Sequence, residues 1–260
     1  MPEISENKAF RALRDWWAEM GVEADTGLLR ALETGPAPSR TEPAPVRRKA
    51  RRSLDARIEE ARNLAAGAGD LPALKAAIEA FDGCPLKEGA RSTVVYDGVP
   101  GSAVMVIGEG PGAQEDATGK PFVGRAGQLL DRMLAAIGRS RQTNTLITNV
   151  NYWRPPGNRN PEKDELAVCR PFVERMVELS APKLIISAGN VPTQALTASR
   201  SGIMKLRGTE QAFTTSGGVT TALFPLFHPA FLLRRPQEKS RAWRDLLRIE
   251  QRLAELGGGD

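Results

Sequence analysis

Apolar residues recur along this chain in two rhythms. Nearly continuous runs occupy 103–108 (Ala103-Val104-Met105-Val106-Ile107), Leu146-Ile147-Thr148-Asn149-Val150, Leu184-Ile185-Ile186-Ser187-Ala188 and Thr221-Ala222-Leu223-Phe224-Pro225-Leu226. Runs without alternation mark strands covered on both faces. Elsewhere the spacing follows a helical period over 126–138, 162–179, 191–198 and 238–255, with two earlier helices at 54–66 and 71–81. Strand and helix alternate. The pattern predicts a three-layer α/β/α sandwich with a central, mostly parallel four-stranded sheet.

Ahead of this domain, Phe10, Leu13, Trp17 and Met20 fall at helical spacing beside Trp16, which predicts an amphipathic helix over 6–20. Its apolar stripe suits docking on the main domain better than capture of a partner. Pro36, Pro38, Pro43 and Pro45 then give a linker composition, followed by Arg47, Arg48, Lys49, Arg51 and Arg52. Such a basic run either solvates a linker or contacts phosphate. The expected division is a helical extension over 1–34, a Pro-rich basic linker over 35–53, and the α/β domain over 54–260.

Charge adds a partner class. Thirty-six Lys and Arg against 31 Asp and Glu give a net charge of +5 and a pI near 9.5, which favours an acidic partner such as nucleic acid. No apolar run is long enough for a membrane span, and no signal-peptide core is visible. Two cysteines, Cys84 and Cys169, make no disulfide framework, so a cytoplasmic setting is expected.

The densest chemistry lies from Gly108 to Gly124, between the first apolar run and the helical pattern of Leu129, Leu130, Met133, Leu134 and Ile137. A strand that ends in a glycine-rich turn and re-enters as a helix builds a ligand site at the carboxyl edge of an open sheet. Gly108-Glu109-Gly110-Pro111-Gly112 has the wrong third interval for a dinucleotide fingerprint, and Gly119-Lys120-Pro121 does not close a phosphate loop. Glu109, Glu115 and Asp116 would also repel phosphate. The other strand ends carry Asn149, leading into Trp153-Arg154-Pro155-Pro156-Gly157-Asn158-Arg159, and His228. His228 is the only histidine in the chain, which excludes a multi-histidine metal site.

Together these segments resemble the family 4 uracil-DNA glycosylases. The resemblance runs over about 77–252 and rests on Gly108 to Gly124, Thr148-Asn149-Val150 with Arg154 to Arg159, Lys205-Leu206-Arg207-Gly208, and His228-Pro229-Ala230. It makes 54–260 a glycosylase-like domain and implies hydrolysis of the N-glycosidic bond of deoxyuridine in DNA, leaving an abasic site. The expected partners are uracil-containing DNA and the released uracil, with no membrane and with the protein acting as a monomer.

The resemblance also assigns roles. Phe122 would stack on the flipped base. Asn149 would read the uracil edge, accepting from N3–H and donating to O4 where cytosine presents the opposite pattern. Neutral His228 would donate to O2 as negative charge develops on the leaving base. Glu115 is the expected catalytic carboxylate, as water-orienting base or support for the sugar cation, with helix capping its bland alternative. Glu109, chiefly through its backbone, and Gly110 and Gln114 complete the expected substrate pocket. Asn158, Arg159, Lys205, Arg207, Arg234 and Arg235 would hold DNA, with Leu232 or Leu233 wedging into the duplex.

One departure stands out. The family holds an iron–sulfur cluster on four cysteines, and only Cys84 and Cys169 match; Phe81 and Trp153 occupy the other two places. Neither aromatic binds iron, so no cofactor and no metal site are expected. Two alternatives stay open: capture of uracil-DNA without turnover, for which the basic insertion expected before His228 is not present, and action mainly on another deaminated base.

Overall fold

The computed structural model describes residues 52–258 except Ala198, so the expected extension over 1–34 and nearly all of the linker lie outside the described residues. Two helices begin the described chain, α1 (Leu54–Gly67) and α2 (Leu71–Ala80). Each starts on a side-chain cap: Ser53 Oγ accepts from the Ala56 N–H at 3.2 Å, and Asp70 Oδ1 from the Ala73 N–H at 2.8 Å.

The strands are β1 (Tyr96–Gly98), β2 (Val104–Gly108), β3 (Thr145–Asn149), β4 (Leu184–Ala188), β5 (Gln211–Thr214) and β6 (Thr220–Leu226), arranged in the order β1-β3-β2-β4-β6-β5. The four central strands are parallel and are the four read from the apolar runs. The count of four needs correcting to six, because β1 and β5 add antiparallel edges. The edges escape the pattern for physical reasons. β1 has only three half-buried residues, and β5 buries only Phe213.

Residues alternate between the two faces of the sheet. Met105, Ile107, Leu146, Ile185 and Leu223 pack with α1, α2, α5 (Lys163–Ser180) and α6 (Asn190–Thr197). Val104, Val106, Ile147, Leu184, Ile186 and Phe224 pack on the other face with α4 (Arg125–Ala135), α8 (Pro229–Arg234) and α9 (Lys239–Glu255). Double cover explains the continuous apolarity of the central strands. Two short helices remain, α3 (Ala113–Thr118) after β2 and α7 (Ile203–Leu206) before β5. No helix among the described residues is long and apolar enough to cross a membrane.

Register sets the site. Gly108 stands opposite Asn149 across β2 and β3, and Ala188 opposite Leu226 across β4 and β6, so the carboxyl ends of all four central strands share one edge. The neighbours of β2 are reached by crossovers in opposite directions, which opens a crevice at that edge.

Candidate active site

A cavity of about 510 Å³ opens at the carboxyl ends of β2, β3 and β6. Glu109, Gly110, Glu115, Phe122, Asn149, Asn158, Arg159, His228 and Arg234 line it, so most of the sequence-derived site residues converge on one space. Gly108 makes that convergence possible. A Cβ there would lie 2.4 Å from the Phe122 ring and 2.5 Å from Asn149 Oδ1.

His228 ends the turn after β6 and caps α8: its Nδ1 accepts the Ala230 N–H at 3.1 Å. With Nδ1 an acceptor, the proton of the neutral ring belongs on Nε2. Burial, with the Arg234 charge acting the same way against a weaker opposing pull from Glu115, lowers the His228 pKa to about 4. The imidazole is therefore neutral at physiological pH. Its ring lies 5.7 Å from that of Phe122, stacked at 29°.

The carboxylates differ in what surrounds them. Glu115 Oε1 accepts from the N–H groups of Val123 (2.9 Å) and Gly124 (3.0 Å), and Oε2 from that of Gly112 (3.2 Å). It ties both ends of the glycine-rich segment together. The Glu109 side chain makes no hydrogen bond with another described residue, and burial raises its carboxyl above the usual range. Asp116 is buried and accepts the N–H groups of Arg91 and Ser92, which anchors α3 to the segment before β1.

Other site residues fall elsewhere. Gln114 is exposed on α3 and does not line the cavity; a Cβ on Gly124 would come within 2.6 Å of its Oε1. Lys205 is exposed on α7. Arg207 donates to Asp245 Oδ1 at 2.7 Å and lies 5.1 Å over the Phe227 ring, so its guanidinium is committed within the fold. Arg159 is clamped by both Glu165 oxygens, at 2.8 and 2.7 Å, although it borders the cavity. Leu232 is 1% exposed and packs into the core, which leaves Leu233 as the leucine with surface to offer; Arg234 and Arg235 are exposed.

Two of the positions that the sequence resemblance matched to cluster ligands, Phe81 and Trp153, gather with Tyr152 and Phe172 as an aromatic block. Phe81 packs 6.5 Å from Trp153 and 5.2 Å from Phe172, and Tyr152 meets Trp153 edge to face at 5.9 Å. Trp153 Nε1–H donates to Thr93 Oγ1 at 3.0 Å. A hydrogen bond donated to Cys84, together with complete burial, pushes the Cys169 thiol well above its usual range. Two thiols and two aromatic rings are not the donor set of a four-thiolate cluster. Among the described residues, no group of three or more His, Cys, Asp or Glu is placed to hold a metal ion.

Residues 95–247, more than half of the chain, match the family model described as the uracil DNA glycosylase superfamily. This chain belongs to the uracil-DNA glycosylase superfamily. Among similar proteins is the type-4 uracil-DNA glycosylase of Pyrobaculum aerophilum, 36% identical over 180 residues, which is 68% of this chain and 91% of that protein. That of Sulfurisphaera tokodaii is 34% identical over 172 residues, 65% of this chain and 78% of the other. That of Thermotoga maritima is 36% identical over 159 residues, 61% and 80%.

Several residues that support the loops around the cavity were not expected from sequence. Arg141, Glu165 and Asn151 support these loops by hydrogen bonds that no motif announces. Asn151 was findable as a polar residue just past a strand end; the other two had no local signal.

Proposed function

We propose that this chain hydrolyses the N-glycosidic bond of deoxyuridine in DNA and releases uracil, the first step of base excision repair. One observation carries the reading: a buried carboxamide, an aromatic face and a neutral imidazole meet in one cavity at the strand ends. A flipped uracil stacks on Phe122. Asn149 accepts from its N3–H and donates to O4. His228 Nε2–H donates to O2, where charge grows as the bond to the sugar breaks. Water adds to the sugar carbon, and its proton leaves on a base.

We assign that last role to Glu109. The sequence expectation made Glu115 the catalytic carboxylate, orienting water or supporting the sugar cation, and gave Glu109 chiefly a backbone part; the hydrogen bonds favour Glu109 for the water. Three N–H donors occupy the Glu115 oxygens, whereas Glu109 faces the cavity with a desolvated carboxylate suited to a general base. Arg234, Arg235, Lys205 and the Asn158 loop hold the backbone, and Leu233 enters the duplex. Every assigned group comes from one chain, so a monomer suffices, and two free buried thiols suit a cytoplasmic setting. The aromatic block supports a branch that folds without the cluster.

A labelled uracil-containing oligonucleotide tests the reading. Alkali-sensitive product with the native protein, and at least a tenfold loss in Asn149→Ala, support it. An intact strand, or a protein–DNA adduct persisting on a denaturing gel, refutes turnover.

A further inference from the structure

The ring of Phe122 sits on an unusual backbone. Its φ is +53°, in the left-handed region that bulky side chains rarely occupy, and the residue is 6% exposed. Something must hold it there. Gly127 on α4 permits the conformation, because a Cβ at that position would lie 1.8 Å from the Phe122 carbonyl oxygen. What holds it arrives from the loop after α4.

Arg141 is 8% exposed and spends its guanidinium on four acceptors. Nη2 donates to the Phe122 carbonyl at 2.8 Å, and Nη1 to the Pro121 carbonyl at 2.9 Å. Nε donates to Asp131 Oδ1 at 2.8 Å, and Nη1 also reaches Asp97 Oδ2 at 3.1 Å. The two carboxylates fix the fork, and the fork grips the two successive carbonyls that set the Phe122 φ. Lys120 Nζ, 3.5 Å from Asp97, completes the local charges. A planar guanidinium spans four such acceptors; an ammonium does not.

We propose that Arg141 is a positioning residue that locks Phe122 in its left-handed conformation and so presents the ring to the base. The inference rests on the uracil-excision reading for its kinetic consequence but not for its structural one. Without the fork, two buried carbonyls lose their donors and the Pro121–Phe122 peptide is free to rotate towards ordinary φ.

Arg141→Gln and Arg141→Lys test this by two readouts. In single-turnover excision at saturating enzyme, Arg141→Gln should be slowed at least tenfold and inhibited less by free uracil, with binding of an abasic-site oligonucleotide changed by less than twofold. Arg141→Lys should fall between it and the native protein. Amide hydrogen exchange over 119–125 should quicken while exchange in the central strands does not. Should Arg141→Gln fail to fold, Asp131→Asn, which loosens the fork but leaves it in place, should give the same pattern more weakly. Native excision and uracil inhibition in a folded Arg141→Gln, or unchanged exchange at 119–125, overturn the proposal. If the native protein excises no uracil, the functional reading falls, and the exchange measurement still decides the role of Arg141.

Discussion

Phe122 and His228 stack at 5.7 Å in the lining of the cavity, one from the loop between α3 and α4 and the other from the head of α8. Burial, with the Arg234 charge acting the same way, keeps the His228 ring neutral.

The single histidine makes that neutrality measurable. Its imidazole nitrogens, followed by NMR, should titrate with a midpoint of about 4 and show the Nε2–H form above it. The stability linkage follows in sign. An unfolded histidine takes up its proton near 6.5 and the folded one near 4, so the unfolded state binds more protons between them. The histidine's contribution to stability is constant above 6.5 and declines as the pH falls through that window. A midpoint near 6.5 in the folded protein would contradict the burial argument.

Glu109→Gln and Glu115→Gln should separate chemistry from architecture. The first removes a base and should lower kcat by about 10²–10⁴ with little change in thermal midpoint. The second keeps one acceptor oxygen but weakens a charge-assisted cap. It should cost about 1–3 kcal/mol of stability with a smaller loss of kcat. Steady-state kinetics beside thermal melts distinguishes the two, and the reverse order would restore the water to Glu115.

Trp153→Ala should destabilise the domain by about 3–5 kcal/mol, because it empties a fully buried site and orphans the Thr93 hydroxyl. Denaturant melts give the number. The native protein should carry no stoichiometric iron and keep its activity after chelation. A brown preparation that loses activity with its iron would sink the aromatic-block reading.

Arg234, which lines the cavity, and its neighbour Arg235 are both exposed and should meet phosphate. Replacing each by Gln should reduce the slope of log K against log salt by about one. Arg207→Gln should instead lower stability, because its partner Asp245 is completely buried. Salt titrations of DNA binding separate these outcomes.

Periodicity alone was enough to mark the four central strands and the long helices. Residues covered on both faces must be apolar throughout, and helices with one buried stripe must repeat it. The edge strands β1 and β5 lacked that constraint, since three half-buried residues or one buried Phe leave no rhythm. The strand-end chemistry was legible too, because Asn149, Phe122 and His228 sit in segments whose local order is distinctive. What each polar group does was decided by its partners, and these come from elsewhere in the chain. Glu115 meets N–H groups eight and nine residues on, Arg207 meets Asp245 across 38, and Arg141 reaches back 19 to the Phe122 carbonyl. Leu232 and Leu233 are alike in sequence, and only packing against α8's neighbours buries the first. A one-dimensional pattern records whether a position must be apolar; which donor answers which acceptor is fixed only when the elements close around the sheet.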